Sequence, residues 1–298
     1  MNILLLGRDG QLGTVLCGVL PALGNVEAVG RAGADLAHPE AVAALVRDKR
    51  PDVIVNAAAY TAVDRAESEA ELAETVNARA VGAVAAAAAD IGATLVHYST
   101  DYVFDGEGSR PHEETDPTAP INVYGRSKRN GEIAITEASP RHVILRTSWV
   151  HAPGGRNFVT RMLELAAERE ELQVVDDQIG APTSARLIAE VTASVLQRNA
   201  DGRPVADGIY HLAAAGETSW AGLARHVIDH AIGRGARLKM AADKVLPVPS
   251  SVWHTPARRP LNSRLSTQKL REALGLELPH WTQDVEATVD AMVPERSV

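Results

Sequence analysis

The chain opens on a short apolar run, Asn2-Ile3-Leu4-Leu5-Leu6, that stops at Gly7-Arg8-Asp9-Gly10-Gln11-Leu12-Gly13 and resumes as the helix-like stretch 14–20. Strand, glycine turn and helix in that order constrain the fold more than any other feature. Glycines at this spacing permit a tight turn, a close backbone approach to a pyrophosphate and close packing of helix on strand, while the helix N-terminus offers free N–H groups to phosphate. Gly7, Gly10, Gln11, Leu12 and Gly13 are therefore candidates for holding a dinucleotide. The G-x-x-G-x-x-G spacing differs from the G-x-G-x-x-G of many dehydrogenases, and any parallel α/β protein can carry a glycine after its first strand, so the turn gains its meaning from the elements beyond it.

Those elements alternate. Residues 26–29 read as a strand, 39–48 as a helix, 52–59 as a strand ending in Asn56-Ala57-Ala58-Ala59, 69–92 as one or two alanine-rich helices, 94–99 as a strand, 124–137 as a helix and 142–149 as a strand. Repeated β-α-β units imply an α/β fold with a doubly wound parallel sheet of Rossmann type, covered on both faces, with ligands at the carboxyl ends of its strands. The pattern predicts a dinucleotide-binding domain over 1–150. A smaller C-terminal substrate-binding lobe would fill 151–298, with segments at about 172–212 returning to the sheet; 298 residues suffice for a large core. The stretch 242–265, rich in proline and carrying Arg258, Arg259 and Arg264, reads either as a solvated connector or as a loop offering guanidinium groups to a diphosphate.

Two further segments carry chemistry. Val96-His97-Tyr98-Ser99-Thr100-Asp101 reads as a buried strand ending in polar residues, and Tyr124 and Lys128 fall one helical turn apart. A hydroxyl at Thr100, a phenol and an ammonium suit the reduction of a carbonyl: a lysine one turn away lowers the phenol pKa from its usual value near ~10, and the phenol gives or takes the proton. The plainer reading of the Tyr-x-x-x-Lys pair is an exposed helix surface. His97 reads as a core histidine, since no histidine or acid sits at catalytic spacing from it, and Glu67, Glu69, Glu71 and Glu74 read as a solvated helix face.

A formal net charge of −8 argues against a nucleic-acid partner. Cys17 is the only cysteine, which excludes an intrachain disulfide and a cysteine metal cluster. No apolar run is long enough for a signal peptide or a membrane span, so no membrane partner and a cytoplasmic location are expected.

The chain resembles the dTDP-4-dehydrorhamnose reductase family of extended short-chain dehydrogenases/reductases. The resemblance runs through the glycine turn 7–13, Asn56 to Asp64, Ser99-Thr100-Asp101-Tyr102-Val103-Phe104-Asp105-Gly106, Tyr124 to Lys128, Arg146-Thr147-Ser148-Trp149-Val150, Asp177 to Thr183, and Arg259-Pro260-Leu261-Asn262-Ser263-Arg264-Leu265, almost the whole chain. It implies a dTDP-sugar substrate, dTDP-4-dehydro-L-rhamnose, reduced at C4 to dTDP-L-rhamnose with NAD(P)H. By that resemblance Tyr124 protonates the developing alkoxide, Lys128 holds the nicotinamide ribose and lowers the Tyr124 pKa, and Thr100 hydrogen-bonds the carbonyl oxygen. Many relatives carry serine at that position; threonine offers the same donor and acceptor. Ala57, Ala58, Ala59 and Thr61 are expected to line the cofactor, Asp101 and Phe104 the substrate region, Trp149 the sugar, and Arg259 and Arg264 the diphosphate.

Two departures from the family bear on cofactors. At the end of the second strand an acidic residue would bind the adenosine ribose, but the chain has Gly30-Arg31; a guanidinium there favours a 2′-phosphate, so NADPH is expected with NADH possible, and Asp35 and Leu36 flank the adenine. Some relatives hold magnesium at a dimer interface through glutamates, and the matching positions here are Val15, Arg186 and Ala291, so no metal and a monomer or weak homodimer are expected. Two other readings stay open: a sugar-nucleotide epimerase or dehydratase of the same superfamily, and a regulatory subunit that keeps a cofactor fold.

Overall fold

A computed structural model of the chain describes residues 1–138 and 141–293. Its centre is a six-stranded sheet in the order β2, β1, β3, β4, β5 and a last strand Gly208–His211, with β1 at Asn2–Leu6, β2 at Asn25–Val29, β3 at Val53–Asn56, β4 at Thr94–Thr100 and β5 at Arg141–Thr147. Every pairing is parallel. The strands are apolar on both faces, which is what a parallel sheet covered by helices on both sides requires. Alternate residues therefore serve different cores. Ile3, Leu5, Val55, Val96, Tyr98 and Leu145 pack with Leu16 of helix α1 (Gln11–Val19) and with Ile188 and Val195 of the helix Ala185–Ala200. On the other face Leu4, Leu6, Ile54, Leu95 and Ile144 pack with Val42 and Val46 of helix α2 (Pro39–Lys49) and with Val84 and Ala88 of the helix Ala80–Ile91.

The register places the site. Leu6 lies between Val29 and Asn56, Asn56 lies opposite His97, and Thr100 lies opposite Thr147, so the carboxyl ends of β1, β3, β4 and β5 reach one edge of the sheet. The chain leaves β1 for β2 on one side and returns to β3 on the other, which opens a crevice at that edge.

The alanine-rich segment lets a helix pack closely. Buried Ala80, Ala85, Ala87 and Ala88 bring Ala80–Ile91 onto the sheet and leave room beside it for the helix Val123–Ala138, which carries Tyr124 and Lys128. A π-turn at Thr75–Arg79 precedes it and presents Asn77, whose amide donates to Tyr60 O and Ser127 Oγ and accepts from Tyr60 N–H. Asn77 thereby ties the loop after β3 to the helix that holds Tyr124.

Three segments differ from the sequence expectation. The third strand stops at Asn56 because its side-chain Oδ1 accepts the Ala58 N–H at 3.1 Å and turns the chain, leaving Ala57 to Ala59 in a loop. The proline-rich stretch contains a strand, Val245–Val248, paired in parallel with Leu172–Val175 in a sheet of their own. Within residues 172–212, only Gly208–His211 joins the main sheet, beside β5.

The helix Val123–Ala138 is fixed to β5 by a buried ion pair. Arg146 Nε and Nη2 donate to the two carboxylate oxygens of Glu132 at 2.9 and 2.7 Å, and the side chains are 3% and 4% exposed. Breaking such a pair leaves an uncompensated buried charge, at a cost of ~3–5 kcal/mol, whereas replacing both partners by apolar groups of similar volume costs far less. Urea unfolding of Arg146→Met should show that loss, and the joint Arg146→Met, Glu132→Leu variant should recover most of it.

Candidate active site

The crevice forms a cavity of about 690 Å³ whose wall runs from the glycine turn to Tyr124. At its floor Gly7 has φ +87°, and a Cβ there would come within 2.6 Å of Ala58 N, so only glycine lets the first turn sit against the third. A Cβ on Gly13 would overlap the Gly7 carbonyl oxygen. Gly10, Gln11 and Leu12 line the cavity, while Gly13 stands behind them as the packing contact of α1. Gln11 also accepts from the Asn157 amide at 2.8 Å, joining the turn to the second half of the chain. Arg31, Asp35 and Leu36 close one end, beside Asp9, whose carboxylate stands against Gly30. Ala57, Ala58, Ala59 and Thr61 form the middle of the wall.

The other end holds Thr100, Asp101, Tyr124, Lys128 and Trp149. Thr100 ends β4, its Oγ1 accepts from Tyr102 N–H at 3.2 Å, and its hydroxyl donates to Asp101 Oδ1 at 3.1 Å. Burial pushes the Tyr124 phenol up to about 12, against a hydrogen bond with Thr100 that lowers it. Burial pushes Lys128 down to about 8, with the Glu132 carboxylate one turn on opposing the fall. The expectation that Lys128 lowers the Tyr124 pKa is therefore not met. Lys128 Nζ donates to Tyr98 O at 2.7 Å and lies 3.1 Å from His97 Nε2, and desolvation governs the phenol. His97 is not simply a core histidine: β-strand alternation turns it, with Leu95, toward the helix that carries Lys128.

Phe104, Arg259 and Arg264 lie off this wall. Phe104 is 1% exposed, stacked on His112 with ring centroids 4.3 Å apart and with the Arg146 guanidinium over its ring, so it belongs to a core beneath the site. Arg259 makes a two-bond pair with Asp64 at 3.0 and 2.8 Å and, with Arg258, lines a neighbouring cavity of about 1180 Å³. Arg264 lines neither cavity and is paired with Glu217 at 2.6 and 3.1 Å. Trp149 has φ +48°, a strained value for a tryptophan, and one of its faces is covered by Trp220 at 3.6 Å. Trp220 lines both cavities, as the partition between them.

Sequence reasoning passed over Trp220, Tyr102, Arg156 and Asn157, all on the smaller cavity's wall. Trp220 comes directly after a helix N-cap serine and Asn157 is itself an N-cap, so both read locally as helix starts with nothing to link them to the glycine turn. Among the described residues no group of three or more His, Cys, Asp or Glu is placed to hold a metal ion, and no helix is long and apolar enough to cross a membrane.

Comparison with known proteins agrees with this geometry. The family model described as the RmlD substrate binding domain matches residues 1–293. The dTDP-4-dehydrorhamnose reductase of Escherichia coli (strain K12) is 49% identical over 297 residues, covering 98% of each chain. The enzyme of that name from Burkholderia thailandensis is 48% identical, over 94% of this chain and 95% of its own. Among solved structures, a dTDP-4-dehydrorhamnose reductase from Bacillus anthracis in complex with NADP superposes with a TM-score of 0.88 at 34% identity, over 96% of this chain and 98% of that one. A UDP-glucose 4-epimerase from Thermus thermophilus shares the fold, with a TM-score of 0.80 at 20% identity.

Asp101 makes the site's electrostatics measurable. Burial raises its carboxyl from 3.8 to about 7, outweighing hydrogen bonds from Ser263 and Thr100. A folded-state pKa above the unfolded one favours the fold at low pH, and that contribution is lost as pH rises from the unfolded to the folded value. Asp101→Asn keeps the neutral form, so its stability relative to wild type should grow across that window by up to ~4 kcal/mol. Urea unfolding of both proteins at each end of the window measures the difference.

Proposed function

The chain belongs to the dTDP-4-dehydrorhamnose reductase family, and from that premise we propose that it reduces the C4 ketone of dTDP-4-dehydro-L-rhamnose to dTDP-L-rhamnose with NADPH. The observation that carries the reading is that Thr100, Tyr124 and Lys128 share one cavity with the glycine turn. The cavity fits the cofactor: at Gly7 a Cβ would fill the closest approach, backbone N–H groups open at the start of α1, and Arg31 stands at the far end. Gly7 and Gly10 would border its diphosphate, Arg31 would pair with the 2′-phosphate and Lys128 would hold the ribose hydroxyls; NADPH bound there would supply the hydride.

The high Tyr124 pKa suits the role of acid. A phenol held up to about 12 is fully protonated at neutral pH, and the alkoxide that develops at C4 is the stronger base, so the proton passes from Tyr124 Oη to the sugar oxygen. Thr100, whose hydroxyl donates to Asp101 Oδ1 at 3.1 Å in the free site, would turn that proton to the sugar oxygen once the ketone is bound. The larger cavity, walled by Arg258, Arg259, Trp253 and Gln178, takes the nucleoside diphosphate of the substrate, with Trp149 and Trp220 where the two cavities meet. We place the reaction in the cytoplasm, on a monomer or weak homodimer.

The test is the loss of reduced-nicotinamide absorbance with dTDP-4-dehydrorhamnose and a chelator present, run separately with NADPH and NADH. Turnover with a dTDP-rhamnose product is expected; its absence with both cofactors would overturn the reading. Tyr124→Phe should keep NADPH binding and lose turnover by ~10²–10⁴-fold. Arg31→Ala should raise the KM for NADPH far more than that for NADH, because only the former carries the 2′-phosphate.

A further inference from the structure

The acid that the end of β2 lacks is supplied from another part of the chain. Val29 O accepts from the N–H groups of Gly7 and Arg8 at 2.9 and 3.3 Å, and Arg8 Nη1 donates to Ala28 O at 3.3 Å, so the glycine turn is latched to the last residues of β2. The latch lays Asp9 over Gly30. Gly30 is buried and is not in the left-handed region, but a Cβ there would overlap Asp9 Oδ2. Glycine at this position therefore serves room rather than backbone freedom: the Asp9 carboxylate fills the space that a side chain on residue 30 would enter.

That carboxylate is open to a ligand. Its Oδ1 accepts from Arg8 Nε at 3.3 Å, with both side chains more than half exposed, and among the described residues its Oδ2 has no hydrogen-bond partner. Asp35, the other acid at this end of the wall, uses Oδ1 to accept from Ala37 N–H at 3.0 Å. Arg31 follows Gly30 directly, is exposed on the same wall and has no ion pair among the described residues. A dinucleotide whose diphosphate sits on the glycine turn brings its adenosine ribose to the end of β2, where a carboxylate accepts from the 2′-hydroxyl. A 2′-phosphate is itself an anion and is repelled by the same carboxylate.

We propose that Asp9, reaching across from the glycine turn, is the specificity-determining residue that reads the 2′-position of the adenosine ribose. It favours the hydroxyl of NADH and opposes the phosphate that Arg31 attracts. The choice between the two cofactors is thus set by two opposed charges beside Gly30, and the acid missing from β2 has been moved rather than lost.

The inference rests on the cofactor reading above, and its test needs no sugar. Calorimetric titration of the full chain with NADPH and with NADH gives the ratio of their Kd values. Asp9→Asn keeps the shape of the side chain and removes its charge, on an exposed turn where the fold does not depend on it. The ratio should move toward NADPH by about tenfold, the effect of one hydrogen bond to a charged group. Arg31→Ala should move it the other way. Adenosine 5′-monophosphate and adenosine 2′,5′-bisphosphate differ only in the 2′-phosphate, and Asp9→Asn should shift their ratio in the same sense. A ratio that Asp9→Asn leaves in place or moves toward NADH overturns the proposal, as does a shift seen with the whole cofactors and absent from the two fragments. Both dinucleotides binding with the expected shift, without reduction of the sugar, would refute the substrate reading alone. Binding of neither would overturn the cofactor reading and this proposal together.

Discussion

Parallel pairing in register is the constraint on which the remaining structure depends. Because Leu6 is level with Val29 and Asn56, and Asn56 with His97, the turns after β1 and β3 meet at one edge of the sheet. Two backbones meeting there tolerate no Cβ at Gly7, and the space thus kept narrow is the floor of the cavity. The same register carries Thr100 to that edge, and it sets His97 on the face covered by the helix Val123–Ala138. A one-residue slip in β4 would turn His97 away from Lys128 and Tyr98 toward it, since side chains alternate between faces.

Burial is the second theme. Tyr124, Lys128, Asp101 and His97 are each pushed toward their neutral forms, the phenol and the carboxyl upward, the amine and the imidazole downward. The ion pair of Glu132 and Arg146 keeps both charges with full hydrogen-bonding across the helix–sheet joint, with Arg146 Nη1 also 3.4 Å from His211 Nε2. A site of neutral donors in a low-dielectric wall needs little reorganisation when charge develops on a substrate, and its hydrogen bonds are strong where they are aimed.

Much of the architecture was legible in the chain because the physics behind it is local. The strand, glycine turn and helix at residues 2–20, the apolar runs of β3 and β4 and the alanine-rich helix each arise from composition and period. So does the one-turn spacing of Tyr124 and Lys128. Less legible were features set by distant partners: Val245–Val248 looks like proline-rich loop until Leu172–Val175 is beside it, Arg264 looks as free as Arg259 until Glu217 takes it, and Phe104 looks like a binding residue until His112 stacks on it.

By itself the sequence determined the α/β class, the order of strands and helices, and the residue types that meet at the sheet edge, because backbone preference and hydrophobic period act over a few residues. Only the tertiary structure decided that Trp220 divides two cavities, that Lys128 Nζ lies 3.1 Å from His97 Nε2, and that burial pushes the phenol's pKa up. Burial and hydrogen-bond direction depend on groups brought together from far along the chain, and no spacing of residues encodes them.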